Sequence, residues 1–447
     1  MVRGGFGILF LPTSNRGYTD PNIGFSQNTN VPTSLTGYTP QVTSENPFSA
    51  GVLLPVGPAA GTGVSDGSSI SGFEYKNPPA YIEQWNIGIE QAFGSKLSFN
   101  LNYAGSHGVK LPISFRPNDL QPQYFGPVGN PTVGAANYNP ATAAAINALE
   151  AQVPNPFYNM PGIAAGSTLL NPTVRQAQLY TAFPQYASGT ISGIQNSSVA
   201  ISFQDLGGSA YNALQATLLM HNLGGGTGSV SYVWSKLLTT YSSPQDYYFP
   251  QYEHSTASTD APQRIVGNAV YDLPFGRGKR FGDGMPGWAN EIAGGWTVTA
   301  IIDVYSGFPI GLAVSGTTPF AGTRPMYVPG VKPLTSGSTH QRLGYNGQQG
   351  YLNPAAFTLP LSFQLGNVPA YPAALRAPLS FDDNASIIKN IPIHDKLGVE
   401  LRAEAFNVLN KVEFAAPALT VGASGFGQIT AQNNLPRNVQ LGLKVHF

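Results

Sequence analysis

The chain has 447 residues, of which only 10% are charged, and its formal net charge is zero. Soluble proteins typically carry about 25% charged residues, so this composition disfavours a soluble protein that relies on surface charge. The absence of a basic run argues against nucleic-acid binding. Because the chain contains no cysteine, disulfides, cysteine-ligated zinc, iron–sulfur clusters and thiol catalysis are excluded.

The first informative segments are strands. No run of about 18 apolar residues occurs, so no transmembrane helix is predicted. Period-two alternation, which marks a strand with one apolar face, is weak at 3–11 and clear at 84–104. There Trp85 and Tyr103 belong to two apolar rows on either side of a tight turn at Phe93–Lys96. The sequence predicts a β-hairpin over this segment.

Similar alternation continues to the end of the chain. In one later strand Asp383 falls on the otherwise apolar side. Each strand is near the 9–11 residues that a tilted strand needs to cross a bilayer, and the total is about ten. The predicted strands after the hairpin are 209–221, 229–235, 264–273, 296–304, 379–389, 397–405 and 438–447.

The connections alternate strictly between short and long. The short or moderate ones are 93–96, 222–226, 274–292 and 390–396, and the long ones are 12–80, 107–208, 237–263, 306–378 and 410–437. A meander with all long loops on one rim is the layout of outer-membrane barrels. The predicted fold is therefore all-β, an antiparallel transmembrane β-barrel portion with long extracellular loops.

The two faces of the predicted strands differ in polarity. Glu400, Arg402 and Glu404 project to the same side of one strand, and that side must meet water or polar groups. In a barrel it faces the lumen, where the three charges either pack against a plug, line a substrate path, or simply supply lumen polarity. A soluble β-sandwich would show the same periodicity, but the loop alternation and the low charge favour the membrane.

Aromatic residues lie near several predicted strand ends. They suit the girdle that flanks the apolar band of a membrane barrel, although ordinary packing would also place them there. The predicted interfacial aromatics are Trp85, Tyr103, Tyr232, Trp234 and Trp296. A second group, in a long loop, could bind carbohydrate or peptide, or could be a chance cluster; it consists of Tyr241, Tyr247, Tyr248 and Tyr252.

No catalytic or cofactor-binding pattern is present. The six histidines lack a metal-ligand spacing such as H-E-x-x-H, and no G-x-S-x-G elbow occurs. The basic segment 276–282, "GRGKRFG", lacks the spacing of a phosphate-binding loop and reads as a solvated turn. The protein is therefore predicted not to be an enzyme, and no metal or cofactor is expected.

Several segments, in order along nearly the whole chain, resemble the barrel of Oar-like TonB-dependent transporters. They include "RGGFGILF" (3–10), "YIEQWNIGIEQAFGSKLSFNLNYAGSHGVKL" (81–111), "APQRIVGNAVYDLPFGRGKRF" (261–281), "GGWTVTAIIDVYSGFPI" (294–310), "LRAEAFNVLNKVEF" (401–414) and "PRNVQLGLKVHF" (436–447). The resemblance implies a location in the outer membrane of a Gram-negative-type bacterium, in contact with its lipid. It also implies energy-coupled uptake of an unknown extracellular ligand, with the barrel as wall and the loops as recognition elements.

The end of the chain is similar to the signal that the barrel-assembly machinery reads. The residues that carry this similarity are Gln440, Leu441, Leu443, Val445 and Phe447. The resemblance thus adds that machinery to the expected partners.

One departure from the family affects the predicted domain organisation. Family members place a signal peptide, a TonB box and a plug domain before a barrel of about 22 strands, and none of those N-terminal parts is recognisable. Residues 1–447 are therefore expected to be the C-terminal portion of a transporter barrel, reaching the TonB complex only through the missing plug. An open sheet is favoured over a narrow ten-stranded barrel in which 3–11 would pair with 438–447. The alternative is an outer-membrane adhesion or surface-scaffold barrel without transport.

Overall fold

A computed structural model describes most of the chain. The described residues are 1–12, 78–121, 143–163, 166–186, 198–245, 253–316, 322–344, 348–361, 364–394 and 397–447, with short stretches between 24 and 76 and residues 196, 247 and 248. Among them, no helix is both long enough and apolar enough to cross a bilayer.

The main element is one large antiparallel sheet. Its ten principal strands are β1 (Val2–Phe10), β2 (Tyr81–Phe93), β3 (Leu97–Phe115), β4 (Val199–Leu223), β5 (Gly226–Thr240), β6 (Gln263–Asp272), β7 (Trp296–Tyr305), β8 (Ser380–His394), β9 (Leu397–Phe406) and β10 (Asn438–His446). These strands lie in the sheet in chain order. The predicted all-β fold of about ten strands is confirmed.

Every strand pairs with its sequence neighbour, and every pairing is antiparallel. Successive connections therefore fall on opposite rims. The five long loops share one rim and the four shorter connections share the other, as predicted. We call these the long-loop rim and the short-turn rim. No pairing joins β1 to β10 within the described residues, so the sheet is open, with two free edges.

Four strands, β3, β4, β5 and β8, are clearly longer than the alternation predicted. β3 continues to Phe115, where its register with β4 shifts repeatedly beyond Gly108. β8 continues to His394, across part of a predicted connection, with an irregularity after Pro392. Bulges and proline interrupt the period-two pattern, so alternation alone ends these strands too early.

The loops contain short helices, 3-10 turns and short strands. Among the described residues there are three short helices. The helices are Ala143–Glu150, Gln176–Leu179 and Gly287–Ala293, and the 3-10 turns are Gly57–Gly63, Thr168–Leu170, Thr339–Arg342 and Pro354–Ala356. The short strands are Ile70–Phe73, Gln152–Pro154, Thr173–Arg175, His254–Thr256, Ala313–Val314, Met326–Tyr327, Phe357–Thr358 and Thr420–Val421.

The largest hydrophobic core among the described residues lies outside the sheet. It is formed by the loops 306–379 and 407–437, which a parallel pairing of Ala313–Val314 with Thr420–Val421 joins. We call this compact unit the loop layer. Its buried residues are Ile310, Leu312, Leu343, Tyr351, Leu352, Ala356, Phe357, Val368, Leu375, Val421, Phe426 and Ile429. Two loops that the sequence leaves featureless therefore fold together at the long-loop rim.

Candidate functional site: the polar face and the loop layer

The register of the sheet separates two faces. Because residues opposite each other in a ladder point to the same side, the pairings carry one face across all ten strands. On that side the residues are mostly amides, hydroxyls and charges. This polar face includes Asn86, Glu90, Asn100, Asn102, Gln215, Thr217, Ser229, Ser231, Asn268, Thr299, Ser386, Glu400, Arg402, Glu404 and Gln440.

Hydrogen bonds between neighbouring strands run along the polar face. Each joins two side chains that lack a long aliphatic stem, so the contacts lie close to the sheet. The pairs are Thr217–Ser231 (3.0 Å), Asn268–Ser229 (2.8 Å), Thr299–Ser386 (2.6 Å) and Thr297–Asp272 (2.8 Å). Such a surface is costly to bury in hydrocarbon, so this side of the sheet suits water or a polar protein surface.

The predicted lumen charges form one cluster on β9. The Arg402 guanidinium donates to Glu400 Oε1 at 2.8 Å and to Glu404 Oε1 at 3.2 Å. A second ion pair on the same face is bidentate: Arg264 donates to both Asp303 carboxylate oxygens, at 3.0 and 2.6 Å. The β9 charges thus pair along their own strand. Their part in contacting a plug or a substrate stays a prediction.

A cleft of 280 Å³ lies on the polar face near the β1 edge. Its lining is dominated by amides and hydroxyls, with the ion pair Arg3–Glu90 at one side. Asn102 Nδ2 donates to Gln215 Oε1 across it at 3.4 Å. These groups can bind a polar ligand or a protein backbone through hydrogen bonds. No group of metal-ligating residues occurs among the described residues.

The opposite, apolar face carries all five predicted interfacial aromatics. Trp85 lies over Gly105, where an added Cβ would collide with the Trp85 ring. Tyr103 Oη donates to Asn212 Oδ1 at 2.6 Å. Trp234 and Tyr232 follow on β5, and both are exposed.

The last of these aromatics lies at the other rim. Trp296 is at the short-turn end of β7, and its Nε1 donates to the Ile292 carbonyl at 2.8 Å. The structure therefore distributes the aromatics over both ends of the apolar face. Their role at a membrane interface stays a prediction.

The predicted assembly signal lies on β10, an edge strand of the sheet. Leu441, Leu443 and Val445 point to the apolar face and are 80%, 68% and 46% exposed, whereas Gln440 points to the polar face. Phe447 follows the strand and is fully exposed. The assembly role of these residues stays a prediction.

Two buried ion pairs connect different long loops, and sequence reasoning missed both. Arg324 Nη2 lies 2.5 Å from Glu253 Oε1, and Arg376 Nη2 lies 2.6 Å from Asp260 Oδ2. The two carboxylate side chains are 4% and 1% exposed. Both pairs join the loop 241–262 to the loop 306–379. Their partners are far apart in sequence, so no spacing signals them.

The predicted ligand-binding tyrosines are largely packed. The Arg116 guanidinium lies 4.0 Å from the centre of the Tyr247 ring. Tyr247 is buried, and this burial raises the pKa of its hydroxyl, with Arg116 opposing the shift. Tyr241 makes an edge-on contact with Tyr371, and Tyr252 lies outside the described residues. Tyr247 thus supports the loops rather than offering a free ring to a ligand.

The fold and the sequence identify the class of protein. The sequence matches the outer membrane beta barrel domain over residues 1–440, so the chain belongs to that family. The predicted outer-membrane location in a Gram-negative-type bacterium is thereby confirmed. None of the curated proteins matches the sequence.

Among solved structures, the chain is similar to three transporters at low identity. The outer membrane transporter YddB from Escherichia coli shares 8% identity at a TM-score of 0.35, with 85% of this chain and 34% of that chain covered. The FrpB iron transporter from Neisseria meningitidis (F3-3 variant) shares 9% (TM-score 0.33; 84% and 32%), and the copper transporter OprC 8% (0.31; 83% and 32%). The chain spans about a third of the length of these structures.

Proposed function

We propose that this chain supplies part of the wall and the ligand-recognising loops of an outer-membrane receptor for energy-coupled uptake. The observation that carries the proposal is the continuous polar face, which the hydrogen bonds Thr217–Ser231, Asn268–Ser229 and Thr299–Ser386 order across five strands. An ordered polar surface of this kind suits packing against a folded plug. The inner-membrane TonB complex acts on that plug and touches this chain only through it.

The open sheet supports a further part of the proposal. The free edges of β1 and β10 would each leave a row of unpaired backbone groups in hydrocarbon, which is strongly unfavourable. Additional strands therefore complete the barrel in the membrane, and residues 1–447 form only part of its wall. The polar face then lines the lumen of this larger barrel.

The loop layer supports the recognition role. Its buried core and the ion pairs Arg324–Glu253 and Arg376–Asp260 fix three long loops, which lie far apart in the sequence, relative to one another. A binding surface that is ordered before the ligand arrives loses less conformational entropy on binding. Recognition of an extracellular ligand at the long-loop rim fits this rigid support.

The test uses the natural lack of cysteine in the chain. Ser231→Cys places one thiol on the polar face, and the adjacent Val230→Cys places a matched control on the apolar face. In cells, a water-soluble maleimide should label Ser231→Cys slowly, because the plug covers it. Adding an extract that contains extracellular ligands should change the labelling rate at Ser231→Cys only while the proton motive force is intact.

The alternative is an adhesion or surface-scaffold barrel, which the separately packed loop layer favours. A scaffold needs no moving plug, so its prediction is a labelling rate at Ser231→Cys that an uncoupler and the extract leave unchanged. That result would overturn the transport proposal. Labelling at Val230→Cys should be insensitive to both treatments in either case.

A further inference from the structure

The connection 273–295, between β6 and β7, differs from the other connections at the short-turn rim. It is far longer, and it contains the helix Gly287–Ala293. Four large apolar side chains of this turn are exposed: Phe275 (46%), Phe281 (49%), Trp288 (72%) and Ile292 (67%). We call it the aromatic turn. Exposed apolar surface of this extent in a turn marks a site that contacts a membrane or another protein.

Two contacts locate the aromatic turn relative to the sheet. Trp296 and Lys389 face each other on the apolar face at its short-turn end. Trp296 Nε1 donates to the Ile292 carbonyl, and Lys389 Nζ donates to the Gly294 carbonyl. The end of the helix therefore lies against the outer side of the wall, at the level where the apolar face stops.

The aromatic turn has a fixed internal structure. The Arg277 amide donates to Asn290 Oδ1 at 2.7 Å, and the Arg277 guanidinium donates to the Met285 carbonyl at 3.0 Å. The Gly278 amide donates to Asp283 Oδ1 at 2.8 Å. These bonds hold the exposed apolar residues in place, so their exposure is not that of a loosely extended segment.

Two cations of the aromatic turn are exposed. The side chains of Lys279 and Arg280 form no hydrogen bond or ion pair with the described residues, and the Arg280 guanidinium lies 5.4 Å from the centre of the Phe281 ring. Cations beside exposed aromatic rings are the arrangement that favours a phospholipid interface. The rings prefer the headgroup level and the cations attract anionic headgroups.

We propose that the aromatic turn binds anionic phospholipid of the leaflet at the short-turn rim. Trp288 and Ile292 enter the headgroup region beside the wall, while Lys279 and Arg280 contact phosphate groups of anionic lipids. The occupant is lipid because β6 and β7 enter the membrane at both ends of this turn, and its helix rests on their lipid-facing side. The proposal does not depend on transport.

The first measurement is depth in the membrane. A spin label is attached to Ile292→Cys in outer-membrane vesicles, with Gly284→Cys as control at an exposed position of the turn that has open space around it. The label at 292 should collide more with oxygen and less with a water-soluble nickel chelate than the label at 284. Equal nickel accessibility would overturn the proposal, and so would a label at 292 that neither probe reaches, because that outcome indicates a protein partner.

The second measurement concerns headgroup charge. The full chain is extracted in mild detergent, and the ratio of phosphatidylglycerol to phosphatidylethanolamine that remains bound is measured. The double variant Lys279→Gln/Arg280→Gln should lower this ratio at least twofold. The matched control Lys332→Gln, exposed at the long-loop rim, should leave it unchanged. An unchanged ratio in the double variant would contradict the role of the two cations.

Discussion

The sheet and the loop layer are stabilised in opposite ways. The protein itself leaves the Leu441 side chain of β10 80% exposed, whereas other protein side chains fully bury Leu352 in the loop layer. The sheet relies on backbone ladders and on lipid that covers its apolar face. The loop layer relies on side-chain packing and buried ion pairs, as a small soluble domain does. The two regions should therefore respond differently to the same kind of substitution.

The largest difference is expected for ion pairs. Arg376→Met leaves the buried Asp260 carboxylate without its cation, which should cost about 3–5 kcal/mol. Arg402→Met breaks a pair whose cation is 41% exposed, and it should cost much less because solvent screens an exposed pair. Native-state hydrogen exchange of the amides near each pair would measure both costs. Equal costs would contradict the proposed contrast.

Truncation of a core leucine should have the next effect. Leu352→Ala opens a cavity in the loop layer, because the side chain is fully buried, and should cost about 2–5 kcal/mol. The exchange rates of the Ala313 and Ser315 amides, which bond to the Leu419 and Val421 carbonyls, report on it. The control is Leu361→Ala. That residue is 56% exposed, so its truncation should change little; a similar loss there would argue against a local core.

A charge on the apolar face tests the membrane assignment of the sheet. Leu443→Arg should cost about 2–4 kcal/mol if the residue lies near the bilayer midplane. Gln440→Arg places the same side chain on the polar face of β10, beside Glu404, and should be tolerated. Urea unfolding of the membrane-inserted protein, followed by gel migration, would measure both. If Gln440→Arg cost more than Leu443→Arg, the assignment of the lipid-facing side of the sheet would be wrong.

The smallest effect concerns pH. Burial raises the pKa of Tyr327 to about 12, against about 10 in an unfolded chain. Between these values the folded state keeps the proton that the unfolded state releases, so the loop layer should lose stability as pH rises above about 10. Tyr327→Phe should flatten this part of the dependence, as measured by amide exchange at pH 9 and 11. Tyr158→Phe, at an exposed position, should not.

Most of the sheet could be predicted from the sequence, because the polarity of each residue in a membrane strand indicates which face of the sheet it lies on. The alternation of Glu400, Arg402 and Glu404 with apolar neighbours located β9 and its polar face. The same rule placed Asp383 on the apolar side, and the structure explains this exception. Asp383 is buried and accepts a hydrogen bond from the Leu409 amide at 2.8 Å, so a loop rather than lipid covers it.

The loop layer could not be predicted in the same way. Its core joins Leu352 to Phe426 and its ion pairs join Arg376 to Asp260, and such distant contacts leave no periodic pattern along the chain. Lys389 is a related case in the sheet. Its position on the apolar face is visible in the sequence, but its bond to the Gly294 carbonyl depends on how the aromatic turn folds back. Long-range packing decided both features.

The length of β4 sets how far the wall rises above the membrane. At about 3.3 Å per residue a strand of 25 residues runs for about 80 Å, and a tilt of about 45° turns this into a rise of nearly 60 Å. The apolar band of an outer-membrane barrel is only about 25 Å tall. The far end of β4, which pairs with Ile70–Phe73, therefore stands well clear of the lipid. If the loops recognise a ligand as proposed, that contact takes place beyond the lipid headgroups and not among them.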